Sequence, residues 1–304
     1  MTVAVFIDGA AGTTGLEIRD RLATRDDLTL IEIDEARRKD AGARAEALND
    51  ADIAILCLPD DAAREAVGLI RGDTRVIDAS SAFRTAPGWT YGLPELGFDV
   101  TGADRVSNPG CWPTGFLLLV APLVRAGLIP ADWPLSYSGA SGYSGGGKAM
   151  IAEFEGGAAA TGYRAYGLSL NHKHLPEMRD HAGLTQPPVF LPAVANVYRG
   201  MLAEVGLSLH AMPGRPSLAA MREAIAAAYD GAPLLTVADD APALVRIEEN
   251  AGSDRVTLRV LGNAAAGQAR LIATFDNLGK GAAGAAVQNL NLMAGLDPLA
   301  GLTV

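Results

Sequence analysis

Residues 3–18 read VAVFIDGAAGTTGLEI, an apolar strand that meets Gly9, Gly12 and Gly15 and passes at once into a helical pattern through Leu16, Ile18 and Leu22. The GxxGxxG spacing is a variant of the dinucleotide fingerprint, in which glycines permit a tight turn and a close backbone approach to a pyrophosphate at a helix N-terminus. Alone, the spacing also suits an ordinary strand-to-helix turn, so the residues downstream of it decide. A second strand (28–34, LTLIEID) leads to a helical segment (43–50, ARAEALND), then to ADIAILCLP (51–59), a run buried on both faces as parallel strands are. A further helix (61–70, DAAREAVGLI) and strand (74–80, TRVIDAS) complete a β-α-β-α-β-α-β alternation. This pattern predicts an α/β Rossmann domain with a doubly wound parallel sheet.

The chain has 304 residues, more than one core usually serves, which points to two domains or to one large core with an elaborated second half. Its 49% apolar content, 35 glycines and modest charge describe a globular, loop-rich protein. No apolar stretch approaches the roughly 18 residues that span a bilayer, because FLLLVAPLV (116–124) contains Pro122 and is followed by Arg125. The N-terminus begins directly with a strand pattern and lacks a basic leader, so a cytoplasmic location is expected and no membrane partner. A net charge of −10 argues against nucleic acid, whose affinity comes largely from Lys and Arg on phosphates. Two cysteines are too few for a disulfide framework or a cysteine-based zinc site.

An acid at the end of the second strand, Glu32 or Asp34, would suit the ribose hydroxyl of NAD. Arg37, Arg38 and Lys39 follow, however, and three cations together suit the 2′-phosphate of NADP. The alternative is a solvated basic helix end.

Cys57 lies within a strand and reads as a small buried hydrophobe. Cys111 is placed differently: the turn signal Asn108-Pro109-Gly110 precedes it, Pro113 sits in the first helical turn, and 115–124 supplies a buried helix body. Unpaired amides and the positive dipole end stabilise a thiolate at a helix N-terminus, which makes Cys111 a nucleophile candidate. Of four histidines, His172 and His174 lie in YGLSLNHKHLPEM (166–178), where a locally extended chain would put them on one face. No Cys or acidic cluster accompanies them at ligand spacing, so a Cys-His pair for covalent catalysis fits better than a metal site. The loop YSGASGYSGGGKAM (137–150) exposes backbone amides that suit a nicotinamide or a substrate anion, or else is a plain flexible loop.

Taken together, FIDGAAGTTGLEI (6–18), DASSAFR (78–84), YGLPEL (91–96), SNPGCWPTG (107–115), SGASGYSGGGK (138–148), HKHLPEM (172–178) and DNLGKGAAGAAVQNLNLM (276–293) resemble the N-acetyl-γ-glutamyl-phosphate reductase family in its shorter form. Members are NADPH-dependent acyl-phosphate reductases of arginine biosynthesis, related to glyceraldehyde-3-phosphate and aspartate-semialdehyde dehydrogenases. The likeness runs from Val3 to about Met293.

The resemblance implies an NADP-binding Rossmann domain over 1–108 and 277–304, and an α+β catalytic and oligomerisation domain over 109–276 with a mixed or antiparallel sheet. A homodimer or homotetramer is expected. The residue patterns agree: GLSLHAM (206–212), RVTLRVLGN (255–263) and QARLIATFDN (268–277) alternate as antiparallel strands do, and 282–296 reads as a closing helix. Carried onto this sequence, the resemblance makes Cys111 the nucleophile that forms a thioester with the acyl substrate, and makes His172 or His174 the acid/base. Because His174 stands nearer a helix start, where the dipole disfavours imidazolium, the choice falls on His172. Cofactor contacts are expected from Gly9, Gly12, Thr13, Thr14, Gly15, Arg37, Arg38, Pro59, Ser141, Gly142, Asn277, Lys280 and Gly281. Substrate contacts are expected from Ser81, Arg84, Asn108, Tyr166, Glu177 and Arg199, and no metal is expected. Two alternatives stay open: a reductase of another acyl phosphate, aspartyl or aminoadipyl, and a nucleotide-sensing regulator without chemistry. The regulator would have no need of Cys111 beside paired histidines.

Overall fold

Strand β1 (Val3–Asp8) runs into the glycine turn and helix α1 (Thr13–Leu22), and the same alternation continues through β2 (Leu28–Ile31), α2 (Ala41–Asp50), β3 (Ile53–Leu56), α3 (Asp60–Leu69) and β4 (Arg75–Asp78). Two short strands come next, β5 (Thr90–Tyr91) and β6 (Arg105–Ser107). In this computed structural model residues 2–38, 40–158 and 161–304 are described, Glu35 by its backbone alone. The chain divides into a nucleotide-type unit, 1–109 with 282–303, and a second unit, 110–281.

The first unit is built on a six-stranded sheet in the order β2-β1-β3-β4-β6-β5, and every pairing is parallel. Side chains alternate across it. Val5, Ile7, Ile53, Ile55 and Ile77 pack on one face with Ile18 and Leu22 of α1, while Phe6, Ala54, Leu56 and Val76 pack on the other with Ala47 and Leu48 of α2 and Ala66 of α3. Covering both faces explains the unbroken apolar runs, each large aliphatic side chain contributing about 1.5–3 kcal/mol on burial. Because β1 lies between β2 and β3, its two crossovers leave on opposite sides, and the C-terminal ends of β1 and β3 form the topological switch point where such sheets bind ligands.

The second unit opens with helix α4 (Cys111–Arg125) and continues through β7 (Ser136–Gly142), α5 (Gly147–Glu155), β8 (Tyr163–Ala165), α6 (Leu175–Ala182), β9 (Val189–Ala195), β10 (Met201–Ser208), α7 (Leu218–Ala228), β11 (Leu235–Ala238), β12 (Val256–Asn263) and β13 (Gln268–Phe275). Its seven-stranded mixed sheet has the order β11-β12-β13-β10-β7-β9-β8. Alternate residues of β10, Met201, Ala203, Val205 and Leu207, are buried on the side that carries α4, whereas Val189 and Leu191 of β9 stay about half exposed. Helix α4 runs through Pro122, which has no N–H to give the Leu118 carbonyl; the Tyr229 hydroxyl donates to that carbonyl instead, at 2.8 Å.

The chain re-enters the first unit with helix α8 (Gly284–Ala294). The boundary falls at 281/282 rather than at the expected 276/277, and at 109/110 rather than 108/109. Residues 277–281 stay with the second unit because Asn277 is tied into it: its Nδ2 donates to Ser144 Oγ at 2.9 Å and its Oδ1 accepts the Gly200 N–H at 3.0 Å. The segment GLSLHAM also departs from the expected strand. β10 begins earlier, at Met201, and ends at Ser208, after which Leu209–Ala211 form a single 3-10 turn.

Candidate active site

In the nucleotide-type unit the glycine turn is shaped by contacts that only glycine tolerates. Gly9 has φ +87°, and a Cβ on it would stand 2.3 Å from the Cys57 carbonyl oxygen, so the loops after β1 and β3 touch through it. A Cβ on Gly15 would stand 2.6 Å from the Gly9 oxygen. Gly12 caps α1 with no side-chain acceptor, and Thr13 Oγ1 is buried without a hydrogen-bond partner in the protein. A cradle closed to side chains, an uncapped helix start and an unpaired hydroxyl fit a dinucleotide phosphate. Thr14 lies in the same first turn, and Pro59, in the loop after β3, caps α3.

Arg37 ends an exposed 3-10 turn after β2 and lies 3.4 Å from Asp40; Arg38 is exposed next to it, and Lys39 lies outside the described residues. Asp34 accepts the Ala36 N–H at 2.9 Å, a local turn bond that engages its carboxylate. Sequence reasoning missed the ion pair between Arg44 on α2 and Asp8 at the end of β1, 2.8 Å apart. Asp8 closes the strand run directly before Gly9, and a buried acid there requires a cation.

The DASSAFR residues belong to this unit as well. The Ser81 hydroxyl donates to Asp60, and buried Arg84 donates through Nε to the Asn108 carbonyl at 3.0 Å and through Nη2 to the Ala79 carbonyl at 3.1 Å. Asn108 donates its own amide to the Ala282 carbonyl and accepts from Asn289. These expected substrate contacts thus anchor the loops after β4 and β6. Burial pushes the Asp78 carboxyl up to about 6, against the pull of its Ser80 hydrogen bonds and of Arg84.

In the second unit Cys111 is the first residue of α4, capped by Gly110 with no side-chain acceptor. The buried Glu177 carboxylate accepts the Gly110 N–H at 2.9 Å, which fixes the turn before Cys111 to the start of α6. His174 is the N-cap of that helix. The histidines do not lie on extended backbone as expected: the chain turns at Lys173 and His174, and this turn brings the rings to 4.7 Å. Within it the His174 backbone N–H donates to His172 Nδ1 at 3.3 Å, leaving Nε2 as the proton-bearing nitrogen of the neutral ring. Burial, and then the Lys173 charge, lower the proton affinity of His172.

Tyr166 lies edge-on to His172, with ring centroids 6.0 Å apart, and negative charge on Cys111 adds to burial in raising its hydroxyl well above the ordinary tyrosine range. The structure therefore brings Cys111, Tyr166, His172, His174 and Glu177 together. A Cβ on Gly281 would stand 3.0 Å from Cys111 Cβ, so the backbone after β13 lines the thiol, and Lys280 beside it is fully buried. Ser141 is buried at the end of β7 and donates to the Gly142 carbonyl; a Cβ on Gly142 would press on Tyr198 and Arg199. Arg199 stands 3.2 Å from the buried Asp276 carboxylate. Among the described residues no group of three or more His, Cys, Asp or Glu is arranged to hold a metal ion, and no helix is long and apolar enough to cross a membrane.

A paired-loop nucleotide fold and a helix-borne thiol on a mixed sheet define the class. Residues 30–101 match the family described as semialdehyde dehydrogenase, NAD binding domain, and residues 111–277 the semialdehyde dehydrogenase, dimerisation domain. Aspartate semialdehyde dehydrogenase from Francisella tularensis shares the fold with a TM-score of 0.75 at 14% identity, over 96% of this chain and 100% of that one. The N-acetyl-gamma-glutamyl-phosphate reductase of Chelativorans sp. is 52% identical over 96% of this chain and 98% of its own length. N-acetyl-gamma-glutamyl-phosphate reductase 2 of Pseudomonas putida is 50% identical over 97% of each. The chain belongs to the N-acetyl-gamma-glutamyl-phosphate reductase family, within the semialdehyde dehydrogenases.

Proposed function

We propose that the protein reduces N-acetyl-γ-glutamyl phosphate to N-acetylglutamate γ-semialdehyde and phosphate, with NADPH as reductant, as a step of arginine biosynthesis. The observation that carries this reading is Cys111 at the uncapped start of α4, held by Glu177 to the turn that bears His172 and His174. Cys111 Sγ attacks the γ-acyl carbon, the bond to the phosphate oxygen breaks, and phosphate leaves from a thioester. A nicotinamide cofactor, its pyrophosphate held by Gly9, Gly12, Thr13, Thr14 and Gly15, would supply the hydride that reduces this acyl group. Breaking the carbon–sulfur bond then frees the aldehyde and returns the Cys111 thiolate. His172, neutral at physiological pH, presents its Nε2–H to charge on the acyl oxygen, and His174 holds the tautomer through its backbone N–H.

Gly9, Gly12, Thr13, Thr14 and Gly15 are assigned to the cofactor pyrophosphate, and Arg37 and Arg38 to the 2′-phosphate, as exposed cations after β2. Arg199, partly exposed and oriented by Asp276, is assigned to the substrate carboxylate. A homo-oligomer formed through the catalytic unit is supported by the family description of residues 111–277 and by the exposed apolar residues of β9. The test is phosphate-dependent reduction of NADP with a panel of semialdehydes. The highest kcat/KM is expected with N-acetylglutamate γ-semialdehyde. A preference for aspartate or aminoadipate semialdehyde would assign a different acyl phosphate, and no turnover with any of them would leave a non-catalytic nucleotide binder.

A further inference from the structure

Trp112 follows the nucleophile and is 2% exposed, yet its indole carries a polar N–H that burial makes costly unless it is paired. Its partner is the Tyr166 hydroxyl oxygen, 2.7 Å from Nε1. An indole only donates, so Tyr166 must be the acceptor, and the phenol's own proton has to point away from the indole. Packing holds the indole in this orientation, since Trp112 lies edge-on against Tyr137 at 5.8 Å and Phe190 at 5.1 Å, and the Tyr137 hydroxyl donates to the Trp112 carbonyl at 2.8 Å.

We infer that Trp112 is a positioning residue for the Cys111 chemistry: by occupying an acceptor site of the Tyr166 oxygen, it directs the phenol proton toward the thiol, where Tyr166 donates a hydrogen bond to negative charge at the reacting centre. Both phenols are tied to the residue directly after Cys111, Tyr166 through the Trp112 indole and Tyr137 through the Trp112 carbonyl, which puts them in the thiol's surroundings; negative charge on Cys111 accordingly acts on both hydroxyls. The other titratable groups around them are His172, Lys173 and His174 in the turn and Glu177 on α6. The inference rests on Cys111 as nucleophile, but its test needs neither substrate nor cofactor.

The test is the pH dependence of Cys111 alkylation by iodoacetamide, followed by peptide mass mapping that separates Cys111 from Cys57. Tyr166→Phe should raise the alkylation midpoint by about one pH unit, the scale of a hydrogen bond to a charged group. Trp112→Phe keeps the ring packing but removes the N–H, and it should raise the midpoint by part of that amount. The double variant should match Tyr166→Phe alone, because the indole acts only through the hydroxyl. Additive shifts, or a Trp112→Phe variant that loses thermal stability without moving the midpoint, would overturn the inference and leave Trp112 a packing residue. The chain has three tryptophans, so the indole N–H spectrum gives a second measurement that does not require the Trp112 variant to fold. One of the three resonances should move upfield in Tyr166→Phe, and three unmoved resonances would also overturn it. Either negative result leaves the assignment of Cys111 standing, since that depends on loss of turnover in Cys111→Ser.

Discussion

Cys57, expected as a buried residue within a strand, instead stands half-buried just after β3 in the nucleotide-type unit, whereas Cys111 opens helix α4 in the catalytic unit, and the two thiols differ in almost everything but their atoms. Around Cys57, burial and the carboxylates of Asp78 and Asp8 push the thiol up to about 12, and its carbonyl is pressed against Gly9. Around Cys111 there is an uncapped helix start, a glutamate that accepts the preceding N–H, two histidine rings in contact and two phenols. Cysteine chemistry follows the neighbours, with anions and apolar walls keeping a thiol inert and a helix N-terminus favouring the thiolate. The same contrast separates the units, one built to bind and the other to react.

The sharpest way to break this comparison is to exchange sulfur for oxygen at each site. Cys111→Ser should lower kcat by at least about 10³-fold while the Kd for NADPH stays within a few-fold, because the alcohol is a far weaker nucleophile. Cys57→Ser should keep near-normal turnover, with any loss appearing in stability. Steady-state kinetics and cofactor titration of both variants check this, and acyl-phosphate reduction retained by the Cys111 variant would erase the distinction.

The next largest effect belongs to the histidine turn. His172→Asn should lower kcat and kcat/KM together by roughly 10²–10⁴-fold, as expected for loss of a group acting in the transition state. His174→Asn keeps the backbone N–H that sets the His172 tautomer, so it should act chiefly on KM. The reverse split would exchange the two roles. On the binding side, Arg37→Ala with Arg38→Ala should raise the KM for NADPH about tenfold and leave that for NADH nearly unchanged, since only NADPH carries the 2′-phosphate. Equal losses for both would remove these arginines from the cofactor site.

The smallest effect sharpens the electrostatics beside Cys57. Asp78 holds its proton more tightly folded than unfolded, its carboxyl being raised from 3.8 to about 6 by burial. Its contribution to stability therefore falls as pH rises from about 4 to 6 and stays low above that, by up to about 3 kcal/mol. Asp78→Asn should flatten this slope, leaving the variant more stable than the parent at pH 8 relative to their difference at pH 4.5. Urea unfolding at the two pH values measures it, and an equal difference at both would contradict the shift.

Much of the nucleotide-type unit was legible because its signals are local. The glycine spacing, the apolar runs of β1 and β3 and the helical patterns between them each sit within one element, and the sheet follows from their order. The start of α4 at Cys111 was legible for the same reason, with a turn signal before it and a proline in its first turn. What escaped depends on contacts distant in sequence. The Arg44–Asp8 pair joins α2 to β1, the Trp112–Tyr166 bond spans 54 positions, and Asn277 keeps its segment with the catalytic unit by reaching Ser144 and Gly200. The turn at His172–His174 was missed because paired histidines carry no turn signal of their own. Ser81 and Asn108, marked for substrate by a resemblance, also hydrogen-bond to Asp60, Ala282 and Asn289, and these contacts are again distant in sequence.

The most direct test of the central claim is to trap the acyl group on the enzyme. The wild-type protein, mixed with N-acetyl-γ-glutamyl phosphate in the absence of NADPH and quenched in acid, should release about one phosphate per active site and gain the mass of one N-acetylglutamyl group. Peptide mapping should place that group on Cys111. Its appearance on Cys57, or an enzyme that turns over fully with NADPH yet never carries the acyl group, would contradict the account.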